Sequence, residues 1–365
     1  MQERLETNLG QLVAIPSITA NGEACHAILE HVRSEIKDLG LFITDNTNIP
    51  NPWLIATTRD TKEPDILLAA HLDVVPAEPA LFTMQKEDGK LYGRGVYDMK
   101  LAAACYIEFL KTHKDTLRYL NIGILFTTDE ETGGASVGTI LESGWRPKVV
   151  FIPDGGDNWQ LEERAKGLYG VELTATGRTA HGSRPWEGDN ALHTLLEAIT
   201  ELRREFPSHD PKDSTLAINE MHAGTAINQI ADHASAKIDF RTFSKEDMAR
   251  YRAMLDKLAS ARNLELQVTQ SGSPLLFDKT SPYVQSFLQT LQKITGKEVA
   301  YCESYGASDA RYFARYNIPC IIIEPHGGGR HAPDEWLLAD DLERYYHLIE
   351  EWATSFTLPA TTDIV

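Results

Sequence analysis

Four segments of this 365-residue chain end in side chains able to bind a cation or move a proton. The apolar run Ile66–Ala70 is followed by His71 and Asp73, and a Gly93–Arg94–Gly95 turn closes on Asp98. "LNIGILFTTDEE" ends in Asp129, Glu130 and Glu131, and "KVVFIPDGG" carries Asp154. Late in the chain, "HGGGRHAPDEW" adds His326 and His331 on a glycine-rich loop. Imidazoles and carboxylates without cysteine form the donor set of a catalytic zinc or related divalent site. Carboxylates brought close together repel one another without a cation, and a pair of Zn²⁺ ions supplies the neutralising charge. In a strand, residues i and i+2 point to the same side, so His71 and Asp73 sit together. That placement suits a ligand with an orienting partner, and equally an internal hydrogen bond. Taken singly, "DEE" also suits a helix N-terminus and "GRG" a plain turn.

The elements that must position these residues can be read from hydrophobic period. Helices are expected from about Glu3 to Ala14 and from Glu23 to Leu39, the second closed by Gly40. "LFITDN", "WLIATTR" and "DILLAAHLDVV" read as strands, and the alanine-rich run after Asp98 reads as a helix. Strands alternating with helices predict an α/β domain with a mixed, largely parallel sheet and helices on both faces. In such a sheet, sites form at the carboxyl ends of strands, which is where the acids and histidines fall. From about Glu163 the texture changes to strand, helix, two strands, helix, strand. This βαββαβ, ferredoxin-like pattern predicts an α+β domain at 164–272, inserted in a catalytic domain made of 1–163 and 273–365. A helix at 281–294, the strand "PCIIIEP" and a final helix at 339–354 complete the latter.

Bulk composition narrows the class. The net charge of −18 argues against nucleic acid or an anionic membrane as partner. The opening apolar stretch, interrupted by Pro16, is too short to span a membrane and has no basic segment before it. A cytoplasmic protein is expected. The four cysteines form no CxxC pair, so neither a disulfide framework nor a thiol nucleophile is expected.

In order and spacing, "HLDVVP", "GRGVYDMK", "TTDEETGG", "IPDGG" and "HAPDEW" resemble the M20 family of zinc metallopeptidases and amidohydrolases. That family includes acetylornithine deacetylase, succinyl-diaminopimelate desuccinylase and dipeptidases. The resemblance runs over essentially the whole chain. It implies two Zn²⁺ ions, with Co²⁺ or Mn²⁺ as substitutes. His71 and Asp154 would hold the first ion, Glu131 and His331 the second, and Asp98 would bridge them, followed by a cis Asp98–Met99 peptide. Glu130 would be the general acid/base, and Asp73 would hold the ring of His71. The implied reaction is hydrolysis of an amide bond through a metal-bridged water.

"GRTAHGSRPWEGDNAL" resembles the family's lid and dimerisation segment, which implies a homodimer and a catalytic His181. Asn228, Arg241, Gly306 and Ser308 match substrate-binding positions, with Asp309 beside them. A helix N-cap at Ser308 or Asp309, and a strand-edge role for Asn228 or Arg241, are the alternatives. The deacylases usually carry Glu where this chain has Asp154, whereas the dipeptidases and aminopeptidases more often carry Asp. The expected substrate is therefore a small peptide, with an N-acetyl or N-succinyl amino acid as the alternative and a non-catalytic peptide-binding relative as a further one. His326 is left either facing substrate or as a loop histidine.

Overall fold

A computed structural model describes residues 1–356, Leu276 by its backbone only; 357–365, at the end of the expected 273–365 segment, lie outside the described residues. The chain divides into two compact units. The first comprises 1–163, 277–303 and 308 onward; the second comprises 164–276 with 304–307.

The first unit is built on a six-stranded sheet in the order 42–46, 53–57, 122–127, 66–71, 149–151, 320–321. Strand Ile66–His71 lies between parallel neighbours on both sides, and all six of its residues are buried. Burial on both faces is why it reads as a continuous apolar run rather than an alternating one. The two N-terminal strands pair antiparallel, so the sheet is mixed but mostly parallel. Helix Lys100–Thr112 is buried from Lys100 to Leu110 and packs on strand 66–71 and on helices 2–13 and 339–354. A helix apolar all round belongs in a core. The buried Lys100 amine donates to the carbonyls of Leu12 and Ile15, at the end of helix 2–13 where main-chain acceptors have no helical partner.

A second, small sheet of this unit has no counterpart in the sequence reading. Gly327–Gly328, Trp336–Leu338, Lys90–Tyr92 and Gln85–Glu87 pair in that order, all antiparallel. Strands of two or three residues carry no measurable period, so only long-range pairing reveals them. This sheet sets the loop 329–335 beside the Gly93–Asp98 turn, because Trp336 pairs directly with Tyr92.

The second unit is a four-stranded antiparallel sheet in the order 215–223, 233–242, 167–176, 264–272, with helices 191–205 and 245–262. Both helices are capped by their preceding residue: Asn190 accepts from the Leu192 N–H and Ser244 from the Asp247 N–H. Phe206, Phe240 and Tyr251 anchor its core, with Phe240 and Tyr251 stacked at 4.2 Å.

Candidate metal centre

Two groups of potential ligands converge in the first unit, and Asp98 belongs to both. His71, Asp98 and Asp154 form one; Asp98, Glu131 and His331 form the other; within each group the ligand atoms lie within 4.8 Å of one another. The two oxygens of Asp98 face different rings: Oδ1 lies 3.1 Å from His71 Nε2 and Oδ2 lies 3.3 Å from His331 Nε2. His331 Nε2 also lies 3.1 Å from Glu131 Oε2. Three of the ligands sit where a strand ends. His71 is the last residue of its strand, Glu131 lies in the 3₁₀ turn after 122–127, and Asp154 follows 149–151.

Asp73 fixes two of these ligands. Its main-chain oxygen is 3.0 Å and its Oδ1 3.5 Å from His71 Nδ1, which aims Nε2 at Asp98. Its carboxylate also accepts the main-chain N–H groups of Glu130 and Glu131 and the Thr19 hydroxyl. The three acids of "DEE" therefore do different things. Asp129 accepts the Ser136 N–H at the start of helix 135–142, Glu131 joins a ligand group, and Glu130 belongs to neither group. Instead Glu130 lines a cavity of about 10 Å³ with His71, Asp154 and Asp309 and apolar walls from Ile152 and Phe313. A space of that size is on the scale of a single water molecule.

Glu335 holds the bridging residue. Its carboxylate, 2% exposed, accepts the main-chain N–H groups of Gly95, Tyr97 and Asp98 and pairs with Arg94 at 2.6 Å. This explains the spacing of "HAPDEW": one end of the motif is a ligand, the other fastens the turn that carries Asp98. The Asp98–Met99 peptide is cis, and His331 has φ of 60°, a left-handed conformation rare outside glycine. Sequence reading did not single out Glu335; its only signal was an acid four residues after the histidine.

Burial works against ionisation of Asp98, yet hydrogen bonds with His331 and His71 hold its carboxyl below the usual range. Burial pushes the Glu131 carboxyl up to about 7 and raises that of Asp154, where the Asp98 charge adds to it. Burial, with Asp154 and Asp309 nearby, pushes Glu130 up to about 9. Burial also opposes protonation of His71, but its contacts with Asp73 and Asp98 raise it well above the usual imidazole range. Converging carboxylates and imidazoles are a donor set that fits a pair of divalent ions. A proton held by Glu131 or His71 must leave for a cation to bind there. Metal uptake at neutral pH is therefore expected to release protons and to tighten as pH rises from about 6 to 8. Calorimetric titration in buffers of different ionisation enthalpy checks this, and a buffer-independent heat would contradict it.

The remaining expected residues are placed as follows. His326 is in neither ligand group; its Nδ1 bonds the buried Asp341, which also accepts from Trp159 Nε1 and Arg344. Asp309 precedes helix 310–315 but caps nothing, being buried against Gly134 instead, while Ser308 Oγ accepts weakly from Ala310 N at 3.4 Å. In the second unit, His181 is exposed, and its Nδ1 lies 2.8 Å from Ser183 Oγ and 3.2 Å from the Ser183 main-chain N. Asn228 is exposed and its carbonyl accepts the Gly182 N–H; Arg241 is already paired with Asp239 at 2.9 Å. Gly306 is exposed.

Comparison with known proteins follows the same line. The chain matches peptidase family M20/M25/M40 over residues 67–355. It is 26% identical over 366 residues to a succinyl-diaminopimelate desuccinylase of a Nitratiruptor species, covering 95% of this chain and 98% of that one. Its fold is similar to that of a tripeptidase from Staphylococcus aureus (TM-score 0.77, 22% identity, 97% of this chain and 99% of that one). It is also similar to a dinuclear metal-binding peptidase of Bacillus subtilis (TM-score 0.69, 16% identity, 97% of each chain).

Proposed function

The chain belongs to peptidase family M20/M25/M40 and is a hydrolase, and from that premise we propose that it cleaves an amide bond in a small peptide at a pair of zinc ions. The observation that carries the metal pair is Asp98, whose two oxygens face two different histidines. His71, Asp98 and Asp154 would hold one ion and Asp98, Glu131 and His331 the other. The ions, when bound, supply Lewis acidity that polarises the scissile carbonyl and brings the pKa of water towards neutrality.

The chain's own groups carry the protons. Glu130 is half-buried and lines a small cavity with His71 and Asp154 without joining either ligand group. It takes a proton from the attacking water and returns it to the leaving amine. Its raised proton affinity suits the return of the proton to the leaving amine. On the resemblance alone, His181 is proposed to donate a hydrogen bond to the developing oxyanion. Asn228, Arg241, Gly306 and Ser308 are proposed substrate contacts on the resemblance alone. A homodimer formed through 164–272 and a cytoplasmic location complete the proposal. Among the described residues no helix is long and apolar enough to cross a membrane.

Asp154 supports a peptide substrate, since aspartate at this position resembles the family's dipeptidases and aminopeptidases. A second reading, deacylation of an N-succinyl or N-acetyl amino acid, is favoured by the desuccinylase relatives. The zinc-reconstituted protein should release amino acids from dipeptides or tripeptides, and a chelator should abolish the release. Turnover confined to N-succinyl or N-acetyl amino acids would replace the first reading with the second.

A further inference from the structure

The loop that delivers His331 also delivers a cation. Arg330, its neighbour, turns to the other ligand group: Nη1 lies 3.4 Å from Asp154 Oδ1. The same guanidinium pairs with Glu324, lies 3.5 Å from Asp157, and sits over the Tyr97 ring at 5.4 Å. Tyr97 in turn donates to Asp157 at 3.1 Å. Glu324 is fully buried, so the ion pair is anchored in the core. The glycines of "HGGGR" allow this approach: a Cβ on Gly327 would lie 2.2 Å from the Tyr97 ring, and Gly329 has φ of +73°. Consecutive residues of one loop thus serve different ligand groups, His331 by direct contact and Arg330 through Asp154.

We propose that Arg330 is a positioning residue for Asp154, and so for the cation position formed by His71, Asp98 and Asp154 alone. Two further observations support it. The guanidinium is planar and its fork is held on the other side by Glu324, so its orientation is determined by the core rather than by Asp154. By engaging Oδ1 it restrains rotation of the Asp154 carboxylate. An aspartate has one torsion fewer than a glutamate, so restraining its carboxylate fixes most of the side chain's remaining freedom. The position formed by Asp98, Glu131 and His331 has no such clamp among the described residues. Arg94, which reaches the Asp98 turn from that side, is committed to Glu335.

The inference rests on the proposed pair of metal ions, and its test separates the two. Stoichiometric zinc titration of the unaltered protein against a chromophoric chelator tests the pair: two ions per chain are expected, and one or none would remove the premise. Arg330 is then tested one position at a time. In a His331→Ala background only the His71–Asp98–Asp154 position is complete; in an Asp154→Asn background only the other is. Arg330→Gln combined with Glu324→Gln removes the clamp without leaving an unpaired charge at the fully buried position 324. It should weaken zinc at the first position by about 10- to 100-fold, the usual effect of losing a partner that orients a ligand. It should leave the second within about threefold on the same scale. Arg330→Lys, which keeps the charge but not the fork, should fall between. An unchanged or tighter first position would overturn the proposal, and so would equal weakening of both, which marks a general disturbance of the fold. Circular dichroism and unfolding of the metal-free variants confirm that each is folded.

Discussion

Glu130→Gln should bind as many metal ions as the unaltered protein and yet lose about 10²- to 10⁴-fold in kcat, the range that a positioned acid/base supplies. The reason is geometric. Glu130 lies in the same 3₁₀ turn as Glu131, and Asp73 holds the main-chain N–H of both, but only Glu131 reaches a ligand group. Glu130 instead lines the small cavity shared with His71, Asp154 and Asp309. Glutamine keeps the volume and cannot accept a proton and return it. KM should change little, because a group that acts by moving a proton contributes mainly in the transition state. Metal content by atomic spectroscopy beside steady-state kinetics gives both halves. Near-normal turnover in a fully loaded variant would remove Glu130 from this role. Low turnover together with lost metal would show that it acts as a ligand.

The second large effect is expected at Asp98, and it differs in kind. Asp98→Asn should lower metal content from two ions per chain to less than one and reduce turnover to the chelated background. At each position affinity should fall by more than the roughly 10- to 100-fold typical of losing an orienting partner, on the order of 10²-fold or greater. Asp98 is buried, both of its oxygens face imidazoles, and each ligand group contains it. An amide in its place offers one oxygen and no charge to two cations. Glu131 and Asp154 each serve one group only, so neither carboxylate can replace the bridge. Retention of two ions would mean that the two groups do not share this residue in solution. Loss of one only would mean that Asp98 serves a single position.

The residues behind these two effects were readable from the chain itself to different degrees than the residues that support them. His71, Asp98, Glu131 and Asp154 follow apolar runs or a glycine-rich turn, and the order of those motifs resembles one family. Much of the first unit follows the same logic. Strand 66–71, helix 100–112 and helix 339–354 have long, unbroken patterns whose period is a local property. Arg330, Glu324 and Asp341 carry no such signal, and Glu335 only its place four residues after His331 in "HAPDEW". A buried acid or a loop arginine is ordinary in sequence, and its work depends on partners as far as 241 residues away.

By itself the sequence determined which chemistry is available. Ligand type, strand ends and helical period are properties of short segments, and they were enough to place imidazoles and carboxylates at the carboxyl ends of strands. Only the tertiary structure decided how those groups are shared. Strand 66–71 lies between 122–127 and 149–151, which brings His71, Glu131 and Asp154 together at the carboxyl ends of neighbouring central strands. The pairing of 336–338 with 90–92 brings His331 to Asp98, and Glu335 fastens the turn between them. Convergence of that kind depends on strand order and long-range pairing, which no local pattern encodes.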